Sequence, residues 1–139
     1  MHQGARERAL MQCAQRVWLI WAALLGACAV ALAAIGAHML ADILVGKAAL
    51  RFDTALRMHL VHAPALLALA LSLRHARSRW WLVACILMSL GSLVFCGGLY
   101  LAAISGSTLL LPIVPAGGSA LILSWLIAGV AFALGENSQ

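Results

Sequence analysis

This sequence has little acid. Asp and Glu number four in 139 residues, against nine Lys and Arg, and charged residues make up 9% of the chain. An average soluble domain carries about 25% charged residues. With 65% of the residues apolar, a soluble fold has too little polar surface to cover itself, so the scarcity of charge excludes a soluble globular domain. No Asp or Glu lies between Asp53 and Glu136, and so no carboxylate sits mid-membrane as a general base or proton-coupling group. No cysteine pair has CxxC spacing, no HExxH occurs, and no serine sits in a GxSxG turn. Those absences leave zinc-ribbon, metalloprotease and serine-nucleophile chemistry without a motif. Cys28, Cys85 and Cys96 lie inside apolar runs and Cys13 in a basic tail, which reads as small packing residues without a disulfide framework. Gly97-Gly98 and Gly117-Gly118 follow no strand of a βαβ unit, so they are read as close-packing positions and not as phosphate loops.

What is present is a series of long apolar runs. Residues 17–40 hold no formal charge, and as a helix they reach about 36 Å, enough to cross a hydrocarbon core of about 30 Å. The expected fold is all-α: one membrane domain, 1–139, built as a bundle of four transmembrane helices at about 17–40, 54–73, 80–103 and 116–134. In helix one, Ala22, Gly26, Ala29, Ala33, Gly36 and Ala37 recur at three- and four-residue spacing, the pattern of a helix packed closely inside a bundle. Residues 41–53 place Val45, Ala49 and Phe52 on one helical face and Lys47 and Arg51 on the other, which predicts a short interfacial helix between helices one and two. Asp53 or Thr54 is the expected cap of helix two. Pro64 inside it predicts a kink or a freed carbonyl at Leu60. Trp80-Trp81 mark an aromatic belt at the start of helix three. Pro115, Gly117 and Gly118 open helix four after a turn-rich connection.

The basic residues fall in short groups between apolar runs, a placement that suits anionic headgroups and argues against nucleic acid as partner. Arg6, Arg8 and Arg16 in the amino tail and Arg74, Arg77 and Arg79 between helices two and three share one side, against Lys47, Arg51 and Arg57 on the other. The bias places both termini in the cytoplasm.

Polar side chains gather where that topology brings helix ends together. His38 leaves helix one, His59 and His62 enter helix two, Arg57 precedes them, and Tyr100 arrives from helix three. Polar groups within a membrane are costly and point to function. One reading makes His38, His59 and His62 ligands of a metal or haem, with Met39 and Met58 as thioether donors. The other makes the cluster a set of interhelical hydrogen bonds that hold the bundle in register. The second is preferred, because no strict ligand spacing is present, and no cofactor is predicted. Arg57 is read as a snorkelling anchor at the headgroups.

The landmarks Gly36-Ala37-His38, Phe52-x-Thr54-Ala55 leading to His62-Ala63-x-Ala65, Phe95-x-Gly97-x-Leu99-Tyr100-Leu101, and Pro115-x-Gly117-Gly118 with Trp125 beyond stand in order along residues 17–132. In this series the chain resembles the YgdD-like small inner-membrane proteins, the family of domain of unknown function 423, which has transmembrane-protein-256-like eukaryotic relatives. The resemblance implies a small multi-pass protein of the bacterial inner membrane or a related organelle membrane, with no established activity. It also implies that His38 and His62 fall on histidines of the family pattern. His59 stands where glutamine is usual, Met58 where tyrosine is, Cys96 where serine is and Pro64 where leucine is. The function expected is a noncatalytic structural or accessory membrane component, as a homo-oligomer or within a larger complex. A metal- or haem-binding protein and a small solute or lipid translocator are the alternatives.

Overall fold

A computed structural model describes residues 2–73 and 79–136. The basic linker at 74–78 and residues 137–139 lie outside the described residues. Every described element is helical: α1 (His2–His38), α2 (Lys47–Ser72), α3 (Trp80–Ser105), a 3-10 turn at Leu111–Ile113, and α4 (Val114–Glu136). Four stretches, Gln15–His38, Lys47–Ser72, Trp80–Ser105 and Leu111–Ala133, are long and apolar enough to cross a membrane. Of these, the α2 stretch is the least apolar. The all-α architecture of four spans is therefore the observed one.

Three boundaries differ from the sequence reading. Helix one, expected at about 17–40, begins instead at His2, with the amino tail continuing α1 as helix, since it contains no proline to stop it. The segment expected as a separate interfacial helix is instead a turn at 39–46 followed by the first two turns of α2. No glycine or proline interrupts the chain between Lys47 and Ala63, so nothing separates those turns from the span. Neither expected cap serves as one: Thr54 Oγ1 donates back to the Leu50 carbonyl at 2.8 Å, and Asp53 pairs with Arg57 at 2.8 Å. The break falls at Gly46, whose φ of 55° and ψ of −121° suit a residue without Cβ. Helix four begins at Val114, with Pro115 in its first turn, where a missing amide hydrogen costs no helical bond.

The helices pack in chain order, with α2 and α3 as the inner pair and α1 and α4 outside them. Helix α1 is thus an outer helix, although its small residues do pack closely. Ala22 and Ala29 are buried, and a Cβ added to Gly26 would lie 4.0 Å from that of Ala63. The Phe52 ring occupies the space that a Gly36 side chain would need. Between α3 and α4 the closest approach is at Gly91 and Gly117. A Cβ on Gly117 would lie 2.6 Å from the Phe95 backbone nitrogen, and one on Gly91 2.9 Å from the Gly117 carbonyl oxygen. Gly98 makes room for Val114, Gly118 is in ordinary contact with Phe95, and Gly97 faces open space. Contacts this close matter because helices in lipid associate through packing and hydrogen bonds, with little help from the expulsion of water.

Candidate functional site

The polar site is built on one face of α2. Because α1 and α2 run antiparallel with Gly36 against Phe52 and Gly26 against Ala63, His59 and His62 are level with the middle of the apolar stretch Gln15–His38. The sequence reading, which started this span at Thr54, put them at a membrane edge. The register sets them deeper, where an unsatisfied polar atom is most costly.

His62 is 5% exposed, and both of its ring nitrogens are engaged. Nδ1 lies 2.7 Å from the Met58 carbonyl oxygen, which can only accept, so Nδ1 carries the hydrogen. Nε2 is then the acceptor for Trp125 Nε1–H at 3.2 Å, with the two rings edge to face at 6.2 Å between centroids. This is the neutral Nδ1–H tautomer, fixed by a carbonyl on one side and an indole on the other. It joins α2 to α4. The carbonyl it uses is that of Met58 and not that of Leu60, which Pro64 deprives of its amide partner. Pro64 itself lies on the outward face, and α2 continues through it.

His59, one turn earlier, is less complete. Its Nδ1 is 3.5 Å from the Tyr100 hydroxyl, the outer limit of a hydrogen bond. Tyr100 is in turn held edge to face by Phe52 at 5.2 Å. Nε2 of His59 is buried, and no hydrogen-bonding group of the described protein reaches it. Phe52, Ala55, Cys96, Tyr100 and Ala103 form the apolar cluster of this end of the bundle. Met58 packs between that cluster and the larger one around Leu66, Met88 and Leu121.

The other members of the expected cluster stand apart. His38 is exposed at the last residue of α1, and Met39 beyond it is 76% exposed. Arg57 turns outward to its partner Asp53, with its side chain 78% exposed. Among the described residues no three His, Cys, Asp or Glu side chains come together as a set that could hold a metal ion. His38, His59 and His62 are therefore not gathered into one donor set.

Further interhelical bonds come from residues that the sequence reading passed over. Trp21 Nε1–H donates to Ser89 Oγ at 3.2 Å and ties α1 to α3. Ser124, fully buried, donates to the Ala84 carbonyl at 2.8 Å and ties α4 to α3. Gln15 Nε2 reaches the Leu71 carbonyl at 3.4 Å. A signal was available: Trp21 and Trp125 sit inside apolar runs and not at their ends, and a buried indole N–H needs a partner. What the arrangement does chemically is to satisfy polar side chains of one helix with side chains and backbone carbonyls of another.

Comparison with known proteins agrees with the sequence landmarks. Residues 32–118 match the family described as Protein of unknown function (DUF423), a segment that holds His38, His59, His62 and Tyr100. The UPF0382 inner membrane protein YgdD of Escherichia coli (strain K12) is 32% identical over 112 residues, covering 81% of this chain and 86% of the relative. A UPF0382 membrane protein of Haemophilus influenzae is 35% identical over 116 residues, covering 78% of this chain and 87% of the relative. No solved structure matches the chain.

Proposed function

Because this chain belongs to the DUF423 family of membrane proteins, whose relatives are named as uncharacterised membrane proteins, we propose that it is a noncatalytic structural or accessory component of the bacterial inner membrane. The observation that carries this reading is the use made of His62. His62, buried on α2, spends both ring nitrogens on the protein itself, one on the Met58 carbonyl and one on Trp125. A catalytic or ligand-binding histidine keeps at least one nitrogen for its substrate or ligand. Ser89 and Ser124 are likewise consumed by helix-to-helix bonds, each worth about 0.6–2 kcal/mol in a membrane. The product of these residues is a defined bundle whose outer faces, on α1 and α4, present apolar side chains such as Ile20, Leu24, Leu126 and Phe132 to lipid or to neighbouring membrane proteins. Both termini lie in the cytoplasm in this reading, on the strength of the basic residues in the amino tail and the α2–α3 linker.

The test is gentle purification from native membranes after crosslinking, followed by mass spectrometry, elemental analysis and an absorption spectrum. The expected outcome is a crosslinked homo-oligomer or a copurifying membrane partner, with neither stoichiometric metal nor a Soret band. A protein that is monomeric throughout, with no partner, would overturn the proposal. Stoichiometric copper, iron or haem would replace it with the cofactor-binding reading.

A further inference from the structure

We infer that His62 is a proton-sensitive latch for α4, whatever the bundle serves. The geometry permits one protonation state at this junction. Met58 offers only a carbonyl oxygen to Nδ1, and Trp125 offers only an N–H to Nε2, because indole has no acceptor in its ring plane. The neutral Nδ1–H ring satisfies both. An imidazolium donates at both nitrogens, so protonation at Nε2 sets N–H against N–H at 3.2 Å and removes this side-chain bond between α2 and α4. Another helix-to-helix bond of α4 joins it to α3, through Ser124 and the Ala84 carbonyl. That bond has no titrating partner. Protonation therefore releases α4 from α2 while leaving it hinged on α3, where Gly91 and Gly117 hold the backbones together.

The neighbourhood has little to compensate the added charge. The titratable groups on the spans packed against α2 are Arg16, Cys28 and His38 on α1, with Arg16 and His38 at the two ends of that span, and Cys85, Cys96 and Tyr100 on α3, while α4 has none in residues 114–133. On α2 itself, His59 is one turn away, and Arg57 and Asp53 are paired with each other at the exposed surface. No carboxylate faces His62 from these spans, so the imidazolium gains no counter-ion to hold the closed arrangement. Trp125 is 50% exposed, which leaves its indole free to swing outward once the bond is lost.

The experiment uses the full chain in lipid nanodiscs, labelled with 15N-histidine and 5-fluorotryptophan, and read by NMR as the pH is lowered. The His62 and Trp125 signals are assigned by their loss in His62→Gln and Trp125→Phe. At neutral pH the His62 ring is expected to show a protonated Nδ1 and a bare Nε2. On acidification the ring becomes imidazolium, and the Trp125 fluorine signal moves in step with it. In His62→Gln, whose amide oxygen accepts the indole N–H at every pH, the Trp125 signal is expected to stay in place. Three results would each overturn the inference: an Nε2–H tautomer at neutral pH, a ring that stays neutral throughout the range in which the protein remains folded, or a Trp125 signal that ignores His62 protonation. Should His62→Gln fail to fold, the His62 signal is assigned instead by its displacement in Trp125→Phe, and the titration of the unsubstituted chain still decides the matter.

Discussion

Two neighbouring pairs of glycines look alike in the sequence and differ sharply in what surrounds them. A methyl group at Gly117 meets the backbone nitrogen of Phe95 at 2.6 Å, whereas one at Gly97 meets nothing within 4 Å. Backbone cannot rotate away as a side chain can, so Gly117→Ala has to push α3 and α4 apart. The expected cost is about 1–3 kcal/mol. Gly97→Ala meets no obstacle and is expected to be neutral or to gain up to about 1 kcal/mol from the better helix former. Thermal unfolding in a mild detergent compares the two, and equal losses would refute the close-approach account. That glycines would be packing positions was legible in the sequence; which member of each pair does the packing was not. It depends on the rotation of each helix about its axis, which is set only when α3 meets α4. The same limit explains the site: His59, His62 and Tyr100 stood out as polar residues in oily runs, but the partners of His62 and Trp21 are 63 and 68 residues away in the chain. No local spacing signals such pairs.

At the scale of the element, α2 is the helix with most compromises. Pro64 lies inside it, on the outward face, with Leu60 also exposed, so the Leu60 carbonyl loses its amide partner on the side that lipid covers. Pro64→Ala restores the missing N–H without touching the buried face. It is expected to stabilise the protein by about 1–3 kcal/mol, read as a higher unfolding temperature in lipid or detergent, with the Trp125–His62 pair unchanged in NMR. No gain in stability would mean that the carbonyl already has a substitute partner. The spans were legible from their apolar runs, because length and absence of charge are enough to require a helix in lipid. The start of α2 was not, because Lys47, Arg51 and Asp53 resemble a surface segment while their helix continues unbroken into the span. Charges at the headgroups and a continuous backbone are compatible, and the break went to Gly46 instead, where the chain needs a positive φ. Once the start moved, so did the depth of both histidines.

For the whole molecule, the proposed orientation rests on the distribution of arginines. Reporter fusions to the carboxyl terminus are expected to fluoresce as a cytoplasmic green fluorescent protein and to be inactive as a periplasmic alkaline phosphatase; fusions in the turn at 39–46 are expected to show the reverse. The opposite pattern would invert the assignment without altering the helix packing. The least apolar span, α2, also holds the half-satisfied His59 and the pair Asp53–Arg57. Its consequence concerns synthesis. A segment with that content partitions poorly into lipid on its own, whereas α1 and α3 on either side partition readily. An α2 placed beside α1 covers part of its less apolar surface before Tyr100 of α3 reaches His59. The small-residue face of α1 is the surface on which α2 packs, and substitutions that enlarge it are expected to lower the yield of membrane-inserted protein, measured by quantitative immunoblot of membranes, before they lower the stability of what is made.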